Sequence, residues 1–225
     1  MHSINLGLIF IAGLNVGLAL LILLQNPKHK INITFALSVF FLALWIFGMA
    51  MFRESETESS AWFWTFLQNG SGGLIVIPFY LFSIYFPYQK NEITNIHLVV
   101  IISSLILLSI VVLYPGLWVK KIILEPSAND YINNRLGIGY FNIHFYGFLL
   151  ASFYNLFLKY ETSEGFIKSR ILNVIVFTGI TAFFGGLFSV AIPMIFLSLG
   201  PYWVAPYFSL PLIVYLSWFI FSVDN

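Results

Sequence analysis

A chain of 225 residues that is 60% hydrophobic and 19% aromatic but only 8% charged, with mean hydropathy +0.91, does not have a soluble domain's composition, since soluble chains carry about 25% charged residues. Ten basic against nine acidic residues give a net charge of +1, which excludes nucleic-acid binding through an overall basic field. With no cysteine there are no disulfides, thiolate metal sites or cysteine nucleophiles.

A helix needs about 20 mostly apolar residues to cross roughly 30 Å of hydrocarbon. Seven stretches meet that requirement: 4–24, 32–52, 61–87, 96–117, 138–158, 171–199 and 204–223. None holds Asp, Glu, Lys or Arg in its interior, as expected when one such charge at the bilayer centre costs about 2.5–3.5 kcal/mol. Runs of this length lack the period-two alternation of a barrel strand. The expected fold is an all-α membrane protein, one domain of seven transmembrane helices. Lys28 and Lys30 follow the first span and no Lys or Arg precedes it, the reverse of a cleavable signal peptide.

Basic residues set the orientation. The connections after spans one, three and five hold Lys28, Lys30, Lys90, Lys159, Lys168 and Arg170, against Arg53, Lys120, Lys121 and Arg135 on the other side. The positive-inside rule then puts the N-terminus outside and the C-terminus in the cytoplasm of a cell membrane. On the outer side, residues 118–137 form a long connection mixing Val119, Ile122, Ile123 and Leu124 with charged residues. Such length and content suit a hairpin or a short interfacial helix better than a solvated coil.

The spans exclude several chemistries. Span seven has no lysine for a retinal Schiff base, and no span has a carboxylate for proton coupling. No metalloprotease pair, nucleophile elbow or phosphate loop is present. The four histidines, His2, His29, His97 and His144, are scattered. No catalytic residue, metal site or cofactor is therefore expected.

Neutral polar residues remain. Asn15 lies in span one, Gln68 and Asn69 in span three, and Tyr140, Asn142, His144 and Tyr146 in span five. Unpaired polar groups in hydrocarbon cost several kcal/mol, so these side chains are expected to face one another or a wet outer cavity. The candidate ligand-binding set is Asn15, Gln68, Asn69, Tyr140, His144 and Tyr146. A packing seam with a hydrogen-bonded His144 is the alternative. Gly13 and Gly17 in span one, and Thr178, Ala182 and Gly186 in span six, recur every four residues as expected of helix-packing faces. Pro78, Pro193, Pro206 and Pro211 predict kinks or broken turns.

The stretch Asn26-Pro27-Lys28-His29-Lys30-Ile31-Asn32-Ile33-Thr34-Phe35-Ala36-Leu37, followed by Ala43-Leu44-Trp45, resembles the first loop and second helix of the seven-helix sensor module at the N-terminus of many bacterial and archaeal histidine kinases and diguanylate cyclases. Ser169-Arg170, a sixth helix bearing Gly179, Gly185 and Gly186, and Ile192-Pro193 are also similar to that module. The resemblance implies a sensory module of a two-component system. A small-molecule or lipid signal would arrive from the outer side, and a helix rearrangement would pass to a cytoplasmic output domain, in cis or in trans, within a homodimer. No phosphoacceptor box or nucleotide-binding domain occurs in these residues, so kinase activity would belong to a longer parent. A carrier for a neutral solute and a structural subunit of a membrane complex are the readings from other classes. The lipid bilayer is the expected partner in all three.

Overall fold

The computed structural model describes residues 3–88, 93–114, 116–125, 129–188, 202–209 and 215. The helices are α1 (Ser3–Gln25), α2 (Lys30–Arg53), α3 (Glu58–Leu74), α4 (Val76–Tyr85), α5 (Asn95–Leu113), α6 (Arg135–Thr162) and α7 (Gly165–Gly186). Two strands, β1 (Val119–Ile123) and β2 (Asp130–Asn133), lie between α5 and α6. α3 and α4 together make one span, Glu58–Tyr85, so six helical segments are long and apolar enough to cross a membrane. The end of the sixth predicted span, 189–199, and most of the seventh, 204–223, lie outside the described residues. A 3-10 turn, Tyr202–Val204, and a short helical stretch to Ser209 are described there.

The element boundaries have local causes. Thr57 accepts the Ser60 N–H at the start of α3, with Glu58 in the first turn to complement the helix dipole. Thr94 and His97 form a reciprocal capping box on α5, and Asn134 accepts the Leu136 N–H on α6. α5 ends at Leu113 rather than at 117, because the residue before Pro115 is driven out of helical backbone. Tyr114 is accordingly extended, with ψ 117°. The basic connection expected between spans five and six shrinks to Ser163 and Glu164, which places Lys159 on α6 and Lys168 and Arg170 on α7.

α2 is the central helix. α1 lies along it, with Leu8, Ile11 and Ala12 against Ile46, Met49 and Ala50, and Ala19 and Ile22 in the cluster of Ile31, Phe35, Ala36 and Val39. Gly13 and Gly17 lie on the exposed side of α1, where an added Cβ would meet nothing within 4 Å; the α1–α2 seam runs through the larger residues instead. On the α3 side, Gly48 permits close approach, since a Cβ there would sit 3.0 Å from the Gln68 backbone nitrogen. α6 runs parallel to α3 and α4, and Phe148 joins Val76 and Ile77 in a buried cluster. The outer face of α5, with Ile96, Val99, Ile102, Ile106 and Ile110 exposed, suits contact with lipid tails.

β1 and β2 pair antiparallel and fold over one end of the bundle, so residues 118–137 contain a hairpin. Trp118, Val119, Ile122 and Tyr131 face inward onto Phe52, Ala61, Leu108 and Val112. The register slips between Val119 and Lys121, a bulge that leaves both Lys120 and Lys121 exposed. Asn129, just before β2, donates to the carbonyls of Phe52 (2.8 Å) and Ser55 (2.6 Å) at the end of α2. At the hairpin base, Asn134 donates to Gly116 O, and Gly137 packs directly on the Leu117 and Trp118 backbone.

Gly137→Ala would force that backbone contact apart and is expected to lower stability by about 1–3 kcal/mol. Gly139→Ala, where an added Cβ meets nothing within 4 Å, is expected to stay within about 0.5 kcal/mol of the parent. Thermal unfolding in detergent checks the pair; equal losses would contradict the packing of the hairpin base.

Candidate functional site

Two of the predicted polar residues, Tyr140 and His144, lie beside an interruption in the third span. Pro78 has no N–H for the Leu74 carbonyl, and its ring crowds that carbonyl. Helical hydrogen bonding accordingly lapses at Ile75, between α3 and α4, although Ile75 keeps helical dihedrals (φ −55°, ψ −44°). In an apolar bundle the loosened carbonyls must find donors elsewhere. Two neighbouring helices place donors on the carbonyls either side of Leu74. His144 of α6 places Nε2 2.9 Å from Gly73 O, and Ser38 of α2 donates to Ile75 O at 3.0 Å.

The tautomer of His144 follows from its partners. Gly73 O only accepts, so Nε2 carries the proton and Nδ1 accepts from Ser104 Oγ of α5 at 2.6 Å. Tyr140, one turn earlier on α6, donates to the Ser104 carbonyl at 2.9 Å. His144 is only 4% exposed and packs edge-on against Phe148 at 5.3 Å between centroids. Its two ring nitrogens join three helices.

α6 continues along the interrupted span as a splint. Asn155 donates to Ser83 Oγ at 3.2 Å, and Lys159 Nζ donates to the carbonyls of Ser83 (2.8 Å), Ile84 (2.6 Å) and Phe86. A cation on the carbonyl end of α4 complements its dipole and takes acceptors that the helix leaves free. His144, Asn155 and Lys159 thus brace the span from its break to its end. The sequence signals for this were Pro78 and the spacing along span five; Ser38, Ser104 and Lys159 carried no distinguishing motif.

The six predicted ligand-binding residues separate into groups. Tyr140 and His144 share the brace. Gln68 and Asn69 are buried on α3, at 3% and 7% exposure, before the break. Gln68 Oε1 is buried with no hydrogen-bond partner. Asn15, fully buried on α1, spends its amide N–H on Ile11 O at 2.9 Å and leaves its Oδ1 without a partner. Tyr146 faces α7 instead, its hydroxyl lying where a Cβ on Gly186 would sit. Ala182 packs into the same cluster as Tyr146, and Gly179 approaches Phe153, so the small residues of α7 border α6. Thr178 is half-buried on that helix.

A second polar cluster lies under the hairpin. Arg53 Nε donates to Asn5 Oδ1 at 2.9 Å, and Asn5 donates to Glu54 at 2.7 Å. The hydroxyl of Tyr202 is buried, and burial pushes its pKa up to about 12 despite the nearby Arg53 guanidinium. Burial, Tyr202 and Asp130 raise Tyr131 as well. Burial also raises the Asp130 carboxyl, with a smaller contribution from Glu125, against the Tyr131 N–H that it accepts. Among the described residues no group of three or more His, Asp or Glu is placed to hold a metal ion.

No family model, curated protein or solved structure matches the chain. Its chemistry therefore rests on the brace and the hairpin cluster. His144→Phe would keep most of the packing but take the imidazole donor from Gly73 O and leave Ser104 Oγ with only its 3.5 Å contact to the Tyr140 hydroxyl; the expected loss is about 1–2 kcal/mol, given that interhelical hydrogen bonds in membranes average near 0.6 and reach about 1.7 kcal/mol. Tyr140→Phe removes one neutral bond and is expected to lose less. Unfolding of the reconstituted protein measures both; a neutral His144→Phe would contradict the brace.

Proposed function

We propose that the chain is a sensory input module: a bundle of seven transmembrane helices in the cell membrane, N-terminus outside and C-terminus cytoplasmic. It detects a small-molecule or lipid signal from the outer side and passes a helix rearrangement to a cytoplasmic output domain in a homodimer. The similarity to the histidine-kinase seven-helix module points the same way, with the kinase itself in a longer parent or a separate chain.

The observation that carries the reading is the interrupted third span, whose carbonyls at Gly73 and Ile75 are held by His144 and Ser38. In this reading the interruption, held by side chains from two neighbours, has a second arrangement in which those bonds are exchanged, and a ligand shifts the equilibrium only by its differential affinity for the two. The buried, unpaired oxygen of Gln68 lies five residues before Gly73 on the same helix. A signal molecule bearing an N–H or O–H donor would gain a partner there, and the third span would transmit its binding to α2 and α6.

Fusing a histidine-kinase catalytic region after Asn225 tests this reading through autophosphorylation in proteoliposomes. Ser38→Ala and His144→Ala are each expected to change basal output several-fold at unchanged protein level, and Gln68→Ala to remove the response to an activating small polar molecule. Output identical in all three variants would overturn the proposal. Because the chain has no cysteine, single cysteines at Lys28 and Lys121 give the topology directly. The proposed orientation requires an impermeant thiol reagent added outside cells to label Lys121→Cys and not Lys28→Cys.

A further inference from the structure

Lys28, Lys30, Lys159, Lys168 and Arg170 gather at the end of the bundle away from the hairpin, where α1, α4 and α6 end and α2 and α7 begin around Ile22, Ile31, Phe86, Leu156 and Ile171. Most of these cations rest on rings or carbonyls. Lys30 Nζ lies 5.0 Å from the centre of the Tyr85 ring, Lys168 Nζ 4.7 Å from that of Tyr160, and the Arg170 guanidinium carbon 4.7 Å from that of Phe166. Lys159 holds the carbonyls at the end of α4. Glu161 and Glu164 are exposed on either side of Ser163, yet neither reaches Nε or Nη2 of Arg170, which are buried without a hydrogen-bond partner.

Those two nitrogens form one edge of the planar guanidinium. Their N–H bonds point the same way, which is the fork that takes two oxygens of a single phosphate or carboxylate. A charged donor withdrawn from water without an acceptor is costly, and Phe166 covers a flat face of the group rather than this edge. We propose that Arg170 binds the phosphodiester of an anionic phospholipid through Nε and Nη2. This goes beyond the sensory reading and stands whether or not the chain signals, because it requires only that the bundle sit in a bilayer.

The depth of Arg170 favours a lipid over a soluble anion. It stands about 7.5 Å along α7 from Gly165, and the apolar run of that helix begins at the next residue, Ile171. Leu172, Val176 and Ile180 beyond it are exposed, as on a surface that meets acyl chains. A phospholipid carries its phosphate at the level of the interface with its chains against such a surface, and the long arginine stem lets the charged head reach that level. A soluble anion would have to give up water at the margin of the apolar surface with nothing to cover it. The headgroup charge matters as well. The choline of phosphatidylcholine brings a cation to its own phosphate, whereas the glycerol of phosphatidylglycerol leaves the phosphate charge to the protein. The other cations at this end add a general attraction for an anionic lipid.

Native mass spectrometry of the full chain in detergent, titrated with phosphatidylglycerol or with phosphatidylcholine, measures the affinity for the first lipid bound. The wild type is expected to prefer phosphatidylglycerol by about tenfold, as for a charge-assisted pair. Arg170→Gln is expected to lose that preference, and Arg170→Lys, which keeps the charge but not the fork, to retain only part of it. Lys28→Gln removes an exposed cation at the same end and is expected to leave the preference in place. Equal affinity of the wild type for the two lipids, or an equal loss in Lys28→Gln and Arg170→Gln, would overturn the proposal. Displacement of phosphatidylglycerol by millimolar inorganic phosphate would also overturn it, assigning the fork to a soluble anion. If Arg170→Gln does not fold, the full wild-type preference in Arg170→Lys would be the contradicting result.

Discussion

Backbone carbonyls inside an apolar bundle cannot be left to solvent, and the arrangement of this protein follows from how the carbonyls around Pro78 are satisfied. The third span loses its continuous hydrogen bonding at Ile75. Gly73 and Ile75 receive donors from α6 and α2, which fixes the height at which those helices sit against the span. Once His144 is set opposite Gly73, the parallel course of α6 brings Asn155 and Lys159 to the end of α4. The same solution appears at the end of α2, where Asn129 of the hairpin connection takes the Phe52 and Ser55 carbonyls. In both places a side chain from another element completes a helix that cannot complete itself.

α2 connects the two sites. Its Ser38 holds the break, and its C-terminal turn holds the hairpin. Displacement of the hairpin would take the Asn129 donor from the Phe52 carbonyl, in the last turn of the helix that also contacts the interruption. That continuity gives the end of the bundle and its middle a physical link through one rigid element, without requiring a ligand to touch both.

Much of the helical architecture was legible because charge is so strongly segregated. The ends were less so. Lys159, Lys168 and Arg170 read as loop residues because charged side chains at the margin of an apolar run look solvated; helical backbone continues through them, and Lys159 finds carbonyls to bind. The Gly13 and Gly17 spacing marked a seam that the structure puts on the exposed side of α1, since the larger Leu8, Ile11 and Ile22 carry the packing. The polar residues of span five were visible as a stripe, but not their partners. Gly73 and Ile75 act through backbone oxygen, which every residue has, and only Pro78 hinted that those oxygens would need help. Tyr146 lies two residues from His144, a rotation of about 200° around the helix, and so belongs to the α7 side.

The central claim is that His144 donates to the Gly73 carbonyl across the interruption. Isotope-edited infrared spectroscopy of the reconstituted protein, with carbon-13 placed at the Gly73 carbonyl, reads that bond alone. The account predicts that His144→Phe moves the labelled amide I band to higher frequency, as for a carbonyl that loses a hydrogen bond, while Tyr140→Phe moves it less. A band unchanged by His144→Phe would show that the carbonyl has no bond to the imidazole, and the brace would fall with it.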